Sequence, residues 1–452
     1  GTFADAMCQT AKAAAGKPVL SLMWWGRGGS LMVYPHFAQT RCIFPSDALD
    51  FMGAQPGYRG ERHAGCSVFQ SWVTDSARSH GKVMMCEADF RTWTSPVNSL
   101  LHDSQNVRFW SEYDLRGVLW RELGRMLSVG GGLWFYDMTA GWFKDPAIMR
   151  EVAAMQQVAD KLVQRRQVFQ PSEILLVSDE DNYYASTEQL NIWNGPNFHC
   201  IRKNQRAWLR SGLKFDFYYF QDLPRLDMRN YKMVVFLNAF FLSTEKKQFI
   251  TEKLQRDNKV LVWLYAPGYM TERGFSTASM GELTGINVLT CGEVEREAVF
   301  VDSVVSRGLA GSSVGMDNKL GQLGFAVDDA AATPIMRYRR SGLVAGAMRD
   351  FESHRSVYLA LPVSFSPEFL QQLASYADAH VYNRTPGDFF MHRRSDLIAL
   401  HGVEGNVNRL VLPKPEARLQ DLLSGEWLPK ENGEFQVKLQ PGETRLLEVV
   451  GY

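Results

Sequence analysis

The feature that most constrains this chain is a fourfold recurrence near its start, in which a short apolar run is followed by a longer stretch of helical character. The runs are Pro18–Trp25, Leu49–Pro56, Lys82–Asp89 and Gly132–Met138. Each is mostly apolar rather than strictly alternating, which is the pattern of parallel strands covered on both faces. The clearest helical segments are Arg108–Ser128 and Asp145–Gln167, the second with Pro146 in its first turn, where a missing N–H costs nothing. A complete (β/α)8 barrel has eight such units in about 250 residues. Residues 1–170 therefore read as half of a barrel.

A boundary follows at Gln170-Pro171-Ser172. Beyond it, Glu173–Ser178, Lys214–Phe220, Tyr231–Leu237 and Val260–Leu264 are strand candidates, with Gln205–Ser211 and Ser243–Asp257 as helices between them and Ser366–Ala379 as a closing helix. This alternation predicts an open, doubly wound α/β domain over 171–382. From 383 to 452 the texture changes to short strands, Leu397–His401, Arg409–Leu412, Phe435–Leu439 and Thr444–Val449, with Asn432-Gly433 and Pro441-Gly442 as turns. That is the pattern of a small antiparallel β domain.

Composition narrows the function. The 452 residues carry 49 Lys+Arg against 49 Asp+Glu, so the broad positive footprint of a nucleic-acid binder is missing. The longest apolar stretches, such as Met233–Leu242, fall far short of the ~20 residues that cross a bilayer. Neither nucleic acid nor membrane is an expected partner. Six scattered cysteines form no C-x-x-C and no close Cys/His group, which predicts neither a metal site nor a disulfide framework. Nothing calls for a cofactor. The first residues, Gly1-Thr2-Phe3-Ala4-Asp5-Ala6-Met7, lack the basic start and apolar core of a signal peptide, so they carry no readable address and the compartment stays open. They enter directly into helix-like sequence, as an internal starting point would.

Barrel enzymes keep their reactive groups at the carboxyl ends of the strands. The richest of the four ends is the third, His80-Gly81-Lys82-Val83-Met84-Met85-Cys86-Glu87-Ala88-Asp89-Phe90-Arg91-Thr92. Glu87 stands where the apolar strand stops, with Asp89 and Arg91 at i+2 and i+4 on the same face if the chain stays extended. A guanidinium near Glu87 would favour the ionised carboxylate that a nucleophile requires. Cys86 points to the opposite face, as packing. At the other ends, Trp24, Tyr58-Arg59 and Trp134-Phe135-Tyr136-Asp137 with Trp142 bring aromatic faces beside polar groups, the combination that walls a sugar site. His63 and His80 read as hydrogen-bonded structural residues.

The blocks H-G-K-x-x-x-x-E-x-D-x-R-T at His80–Thr92 and G-L-W-F-Y-D-M-x-x-G-W at Gly132–Trp142, with the three-domain order, resemble the family 42 glycoside hydrolases of the bacterial β-galactosidase type. The resemblance implies that Glu87 is the catalytic nucleophile of a retaining enzyme, that Trp24, Tyr58, Arg59, Asp89, Arg91, Asp137 and Trp142 bind a carbohydrate substrate, and that the general acid/base, carried by an earlier barrel strand, lies outside this chain. An isolated fragment of this kind would be nearly inert. The second domain resembles the amidotransferase-like domain of the same family. After the strand Val260–Leu264 it has Tyr265-Ala266-Pro267-Gly268 with no Cys, which argues against glutaminase chemistry and for a subunit interface, by the family's habit a homotrimer. The competing expectation is a non-catalytic, degenerate barrel kept for assembly or sugar binding.

Overall fold

A computed structural model describes residues 3–24, 40–66, 73–96, 108–137, 140–164, 169–185, 195–316, 323–362 and 364–451. The side chains of Arg59, Tyr184 and Ala185 lie outside the described set. Two compact units result, one gathering the described residues through Gln170 together with those from Tyr382 onward, the other formed by Pro171–Val381. No helix among the described residues is long and apolar enough to cross a membrane.

In the first unit, α1 (Phe3–Ala14) precedes four strands, β1 (Leu22–Trp24), β2 (Phe51–Ala54), β3 (Val83–Ala88) and β4 (Gly132–Phe135). They form one parallel sheet in the order β1-β2-β3-β4. Between and after them run α2 (Thr40–Ile43), α3 (Thr74–Ser79), α4 (Glu112–Ser128) and α5 (Pro146–Val163). Sequential order with a helix after each strand is the arrangement of consecutive βα units.

The apolar runs predict strands covered on both faces, but β3 alternates half-buried and buried residues along its length. Met84, Cys86 and Ala88 are fully packed, whereas Val83, Met85 and Glu87 remain partly exposed among the described residues. Successive side chains alternate across a strand, so one face of the sheet lies on the helices and the other stays open.

The covered face rests on α4, which is buried on almost every side from Leu115 to Ser128. Ser111 caps its start by accepting the Asp114 N–H. Glycine inside a helix costs about 1 kcal/mol relative to alanine, yet α4 contains two. A Cβ on Gly117 would stand 1.9 Å from the Gly442 carbonyl oxygen, and one on Gly124 would stand 2.6 Å from Ala399 and Leu446 side-chain carbons. Both glycines let α4 lie directly against the antiparallel strands Leu397–Gly402 and Thr444–Val450, which pair with each other. Leu397, Ala399 and Leu446 thereby join the same core as Leu119, Leu123 and Phe90.

A directed hydrogen-bond chain fixes this contact. The Gly65 N–H donates to His401 Nε2 at 2.8 Å, His401 Nδ1 lies 2.8 Å from Thr444 Oγ1, and that hydroxyl donates to the Gly117 carbonyl at 2.6 Å. Burial holds the His401 ring well below the ordinary histidine range, and a neutral ring is what accepting at Nε2 requires. Arg394 closes the far end of α4 by donating to the Leu127 carbonyl, a cation at a helix C-terminus.

The second unit holds an 11-stranded mixed sheet. Its parallel part contains β5 (Ile174–Ser178), β6 (Asp216–Tyr219), β7 (Met233–Phe236) and β8 (Lys259–Leu264), with β5 between β6 and β7, and His354–Leu359 pairs parallel to β8. Central strands are buried on both faces, β8 at all six positions. The sequence between 288 and 350 does not continue the βα alternation. Among the described residues it supplies six antiparallel strands that extend the sheet beyond His354–Leu359. At the end of β8, Tyr265 occupies the left-handed region with φ 62°, and its buried hydroxyl donates to the Leu323 carbonyl at 2.7 Å.

Candidate active site

The open face of the first sheet ends in a row of aromatic and polar side chains. Trp24 on β1 and Trp134 on β4 face each other edge-on with ring centroids 6.0 Å apart. Gly53 on β2 lies between them, and a Cβ there would come within 3.0 Å of the Trp134 ring and 3.1 Å of the Trp24 ring. Only a residue without a side chain lets the two indoles close over the middle of the sheet.

Glu87 sits beside this row. It is the register partner of Trp134 on β4, and on the β2 side Gln55 donates to its Oε1 at 3.4 Å. Burial and then the neighbouring Asp89 carboxylate push the Glu87 carboxyl above the usual glutamate range, with the Gln55 hydrogen bond and Arg62 opposing them. The cation that faces Glu87 is therefore Arg62 rather than Arg91. The guanidinium of Arg91 instead lies 5.7 Å from the Trp142 ring, and both residues are buried. The chain departs from the extended line after Ala88, where the Asp89 N–H turns back to the Glu87 carbonyl. The spacing rule that aligned Glu87 with Arg91 ends with the strand.

Asp89 anchors a buried assembly behind Glu87. Tyr58 donates its hydroxyl to Asp89 Oδ2 at 2.9 Å, and Arg62 pairs with Oδ1 while donating to the Asp89 carbonyl at 3.0 Å and the Gly57 carbonyl at 2.7 Å. The Arg62 guanidinium also lies 4.0 Å from the Tyr58 ring centroid and 5.4 Å from that of Phe90. Burial and the Asp89 charge hold the Tyr58 phenol protonated, so it remains a donor. With five directions fixed by Gly57, Tyr58, Asp89 and Phe90, Arg62 holds the loop after β2 to the end of β3.

Glu87, Tyr58 and Asp89 are thus brought together, and Trp24 lines the same open face, 38% exposed. Trp142 is a core residue at 4% exposure, its backbone N–H held by Asp137 Oδ2 at 2.8 Å. Asp89 and Arg91 are buried as well, so with Trp142 they stand behind the open face. The Arg59 side chain, Trp25 and Met138 lie outside the described residues. Neither Arg62 nor Gln55 belongs to the sequence blocks around Glu87 and Trp142. The signal for Arg62 lay in the polar run Tyr58-Arg59-Gly60-Glu61-Arg62, but its partner is 27 residues away. Cys86, on the packed face, has its thiol pushed up to about 12 by burial and is no nucleophile. Among the described residues no group of three or more His, Cys, Asp or Glu side chains is placed to hold a metal ion.

No protein-family model matches this chain, and no curated protein is similar to it in sequence. Among solved structures the likeness is extensive. A β-galactosidase from Bacillus circulans sp. alkalophilus superposes with a TM-score of 0.61 at 15% identity, over 96% of this chain and 70% of that one. The cold-adapted β-galactosidase from Rahnella sp. R3 gives 0.65 at 14% identity, over 98% and 65%. A GH42 β-galactosidase from G. stearothermophilus gives 0.60 at 14% identity, over 92% and 60%. The chain has the fold of the GH42 β-galactosidases and spans about two thirds of their length.

Proposed function

We propose that this chain is the C-terminal part of a retaining glycoside hydrolase acting on β-galactoside-like carbohydrates, with Glu87 as the nucleophile. The observation that carries this reading is the position of Glu87: a half-buried carboxylate at the carboxyl end of a parallel strand, on the open face, beside Trp134 and Trp24. The likeness of fold to β-galactosidases supports the substrate class.

In such a reaction a Glu87 oxygen attacks the anomeric carbon as the bond to the leaving oxygen breaks, and an acid delivers a proton to that oxygen. Water, deprotonated by the same second group, then releases the sugar. The two carboxyl groups of a retaining pair stand about 5–5.5 Å apart. The acid/base belongs, on this reading, to a barrel strand outside these 452 residues, and the four-stranded sheet is one part of the barrel. Tyr58 and Asp89, locked by Arg62, hold the mouth in shape, while Trp24 and Asp137 contribute to the sugar-facing wall. Arg91 and Trp142 support that wall from within the core.

Burial of Asp89, Arg91 and Trp142 favours a second reading, a barrel retained for assembly or sugar binding without catalysis. One experiment separates the two. A 2-deoxy-2-fluoro-β-galactoside with a dinitrophenolate leaving group needs no acid to depart. With the complementary barrel half supplied, mass spectrometry should find a fluorogalactosyl adduct on the peptide that contains Glu87. An adduct on another residue, or none, leaves the non-catalytic reading standing.

The second unit is proposed as the assembly domain of a homotrimer. Phe275 is 73% exposed, and Val304 and Leu343 are exposed as well, apolar side chains that a subunit contact would cover. Light scattering on the full chain should give three times the chain mass, and a monomer at high concentration would exclude this assembly.

A further inference from the structure

Away from Glu87, the first unit contains a cavity of about 360 Å³ between α4 and the turns of the C-terminal β-strands. Its helical wall is built from Tyr113, Arg116 and Trp120, whose spacings of three and four residues put them on one face of α4. The opposite wall carries Asp421, Glu426, Glu443 and Arg445. We propose that this cavity binds a neutral pyranoside, one sugar ring of an oligosaccharide.

The wall chemistry selects that class by elimination. Three carboxylates face two guanidiniums, and the cations are already engaged: Arg445 pairs with Asp421 and lies 3.9 Å from Glu443, and Arg116 lies 3.7 Å from Glu151. A phosphate or sulfate would meet net negative charge. A divalent cation would need three convergent ligands, a group that does not occur among the described residues. A wholly apolar ligand would strip water from these charged groups and return no hydrogen bonds.

A pyranoside meets each demand. Its hydroxyls both donate and accept, so one ring can address carboxylates and guanidiniums together, and its C–H face can lie against an aromatic ring. Tyr113 offers that face. It is 49% exposed, and its hydroxyl is tied to the Pro441 carbonyl at 2.9 Å, which holds the ring in place. Trp120 is fixed in turn by its indole N–H donating to Glu151 at 2.9 Å. The opposing turn is rigid because Asp421 Oδ1 accepts the Leu423 N–H at 2.8 Å. The volume lies within the ~300–1,000 Å³ range of small-molecule sites and accommodates a single hexose. The site is preorganised on a long buried helix and a paired strand, so binding orders little.

Saturation-transfer NMR on the full chain, with methyl β-D-galactopyranoside and lactose as ligands and inorganic phosphate as competitor, tests this. Transfer to the C–H protons of both sugars is expected, and phosphate should leave it unchanged. Tyr113→Ala should weaken sugar binding about tenfold, roughly 1.4 kcal/mol, whereas Tyr113→Phe, which keeps the ring but loses its tie to Pro441, should weaken it less. Glu426→Gln on the exposed turn should weaken binding with the melting profile unchanged. Absence of sugar binding, or binding indifferent to Tyr113→Ala, overturns the proposal, as does displacement of the sugars by phosphate. Glu87→Gln keeps the two readings apart. Binding that survives Glu87→Gln but falls with Tyr113→Ala assigns the sugar to this cavity, whatever the outcome of trapping at Glu87.

Discussion

Glu87→Gln should lower turnover of a nitrophenyl β-galactoside by roughly 10⁴-fold or more in the assembled enzyme, the scale seen when a covalent nucleophile is removed. The same change should raise the thermal midpoint at neutral pH. Both effects come from one environment. Burial and the Asp89 charge disfavour the ionised Glu87, so its carboxyl titrates above the ordinary value of 4.5. The folded chain then holds this proton more tightly than the unfolded chain does. Ionising the group costs stability, fully so above its folded pKa, and the cost fades as pH falls toward 4.5 and below. Glutamine, which never ionises, removes that cost. The midpoint difference between Glu87→Gln and wild type should therefore shrink on acidification, and the acid limb of the turnover profile should sit above pH 4.5. Azide should restore part of the activity of Glu87→Ala on an aryl galactoside with a good leaving group, by entering the space left by the carboxylate. Near-wild-type turnover in either variant would end the assignment of Glu87, and a lower midpoint for Glu87→Gln at pH 7 would contradict the burial argument.

The four apolar runs are legible in the sequence because hydrophobicity is a local signal, and the end of the third run falls at Glu87 for the same reason. What sequence does not carry is the identity of distant partners. Gly117 and Gly124 look like defects in a helix until Gly442, Ala399 and Leu446 are seen pressing on their empty positions. Arg62 looks like one charge among several in a polar turn, yet it closes on Asp89, a residue on another strand end. The i+4 spacing aligns Arg91 with Glu87 only while the backbone is extended, and the backbone turns at Asp89. In the second unit, β5 to β8 are continuous apolar runs and stand out. The strands of 288–350 mix exposed and buried residues in short, bulged pairings, a weaker periodic signal.

The second large effect is expected far from the open face, in a charged group buried under the sheet. Glu122 on α4 is completely enclosed and lies between two guanidiniums, Arg121 at 3.0 Å and Arg125 at 2.8 Å. Burial pushes its carboxyl up, but Arg125 and Arg121 together outweigh that and hold it below the usual range. The cations reach further: Arg121 donates to the His63 carbonyl at 2.9 Å, on the loop that also carries Arg62, and Arg125 approaches the Cys86 sulfur at 3.3 Å, next to Glu87. Glu122→Ala leaves two guanidiniums buried without their counter-charge, a class of change that costs about 3–5 kcal/mol. Glu122→Gln keeps the shape but not the charge and should lose nearly as much. Because the folded pKa is depressed, the stabilisation is present above the unfolded value of 4.5 and is lost as pH falls through the folded one, so wild type and Glu122→Gln should converge in urea denaturation at low pH. Replacing all three charges with Arg121→Met, Glu122→Leu and Arg125→Met should recover much of the loss, though not all, since the His63 carbonyl then lacks its donor. A Glu122→Ala chain as stable as wild type at pH 7 would mean that water reaches this group, and that the tie from α4 to the strand bearing Glu87 is not electrostatic.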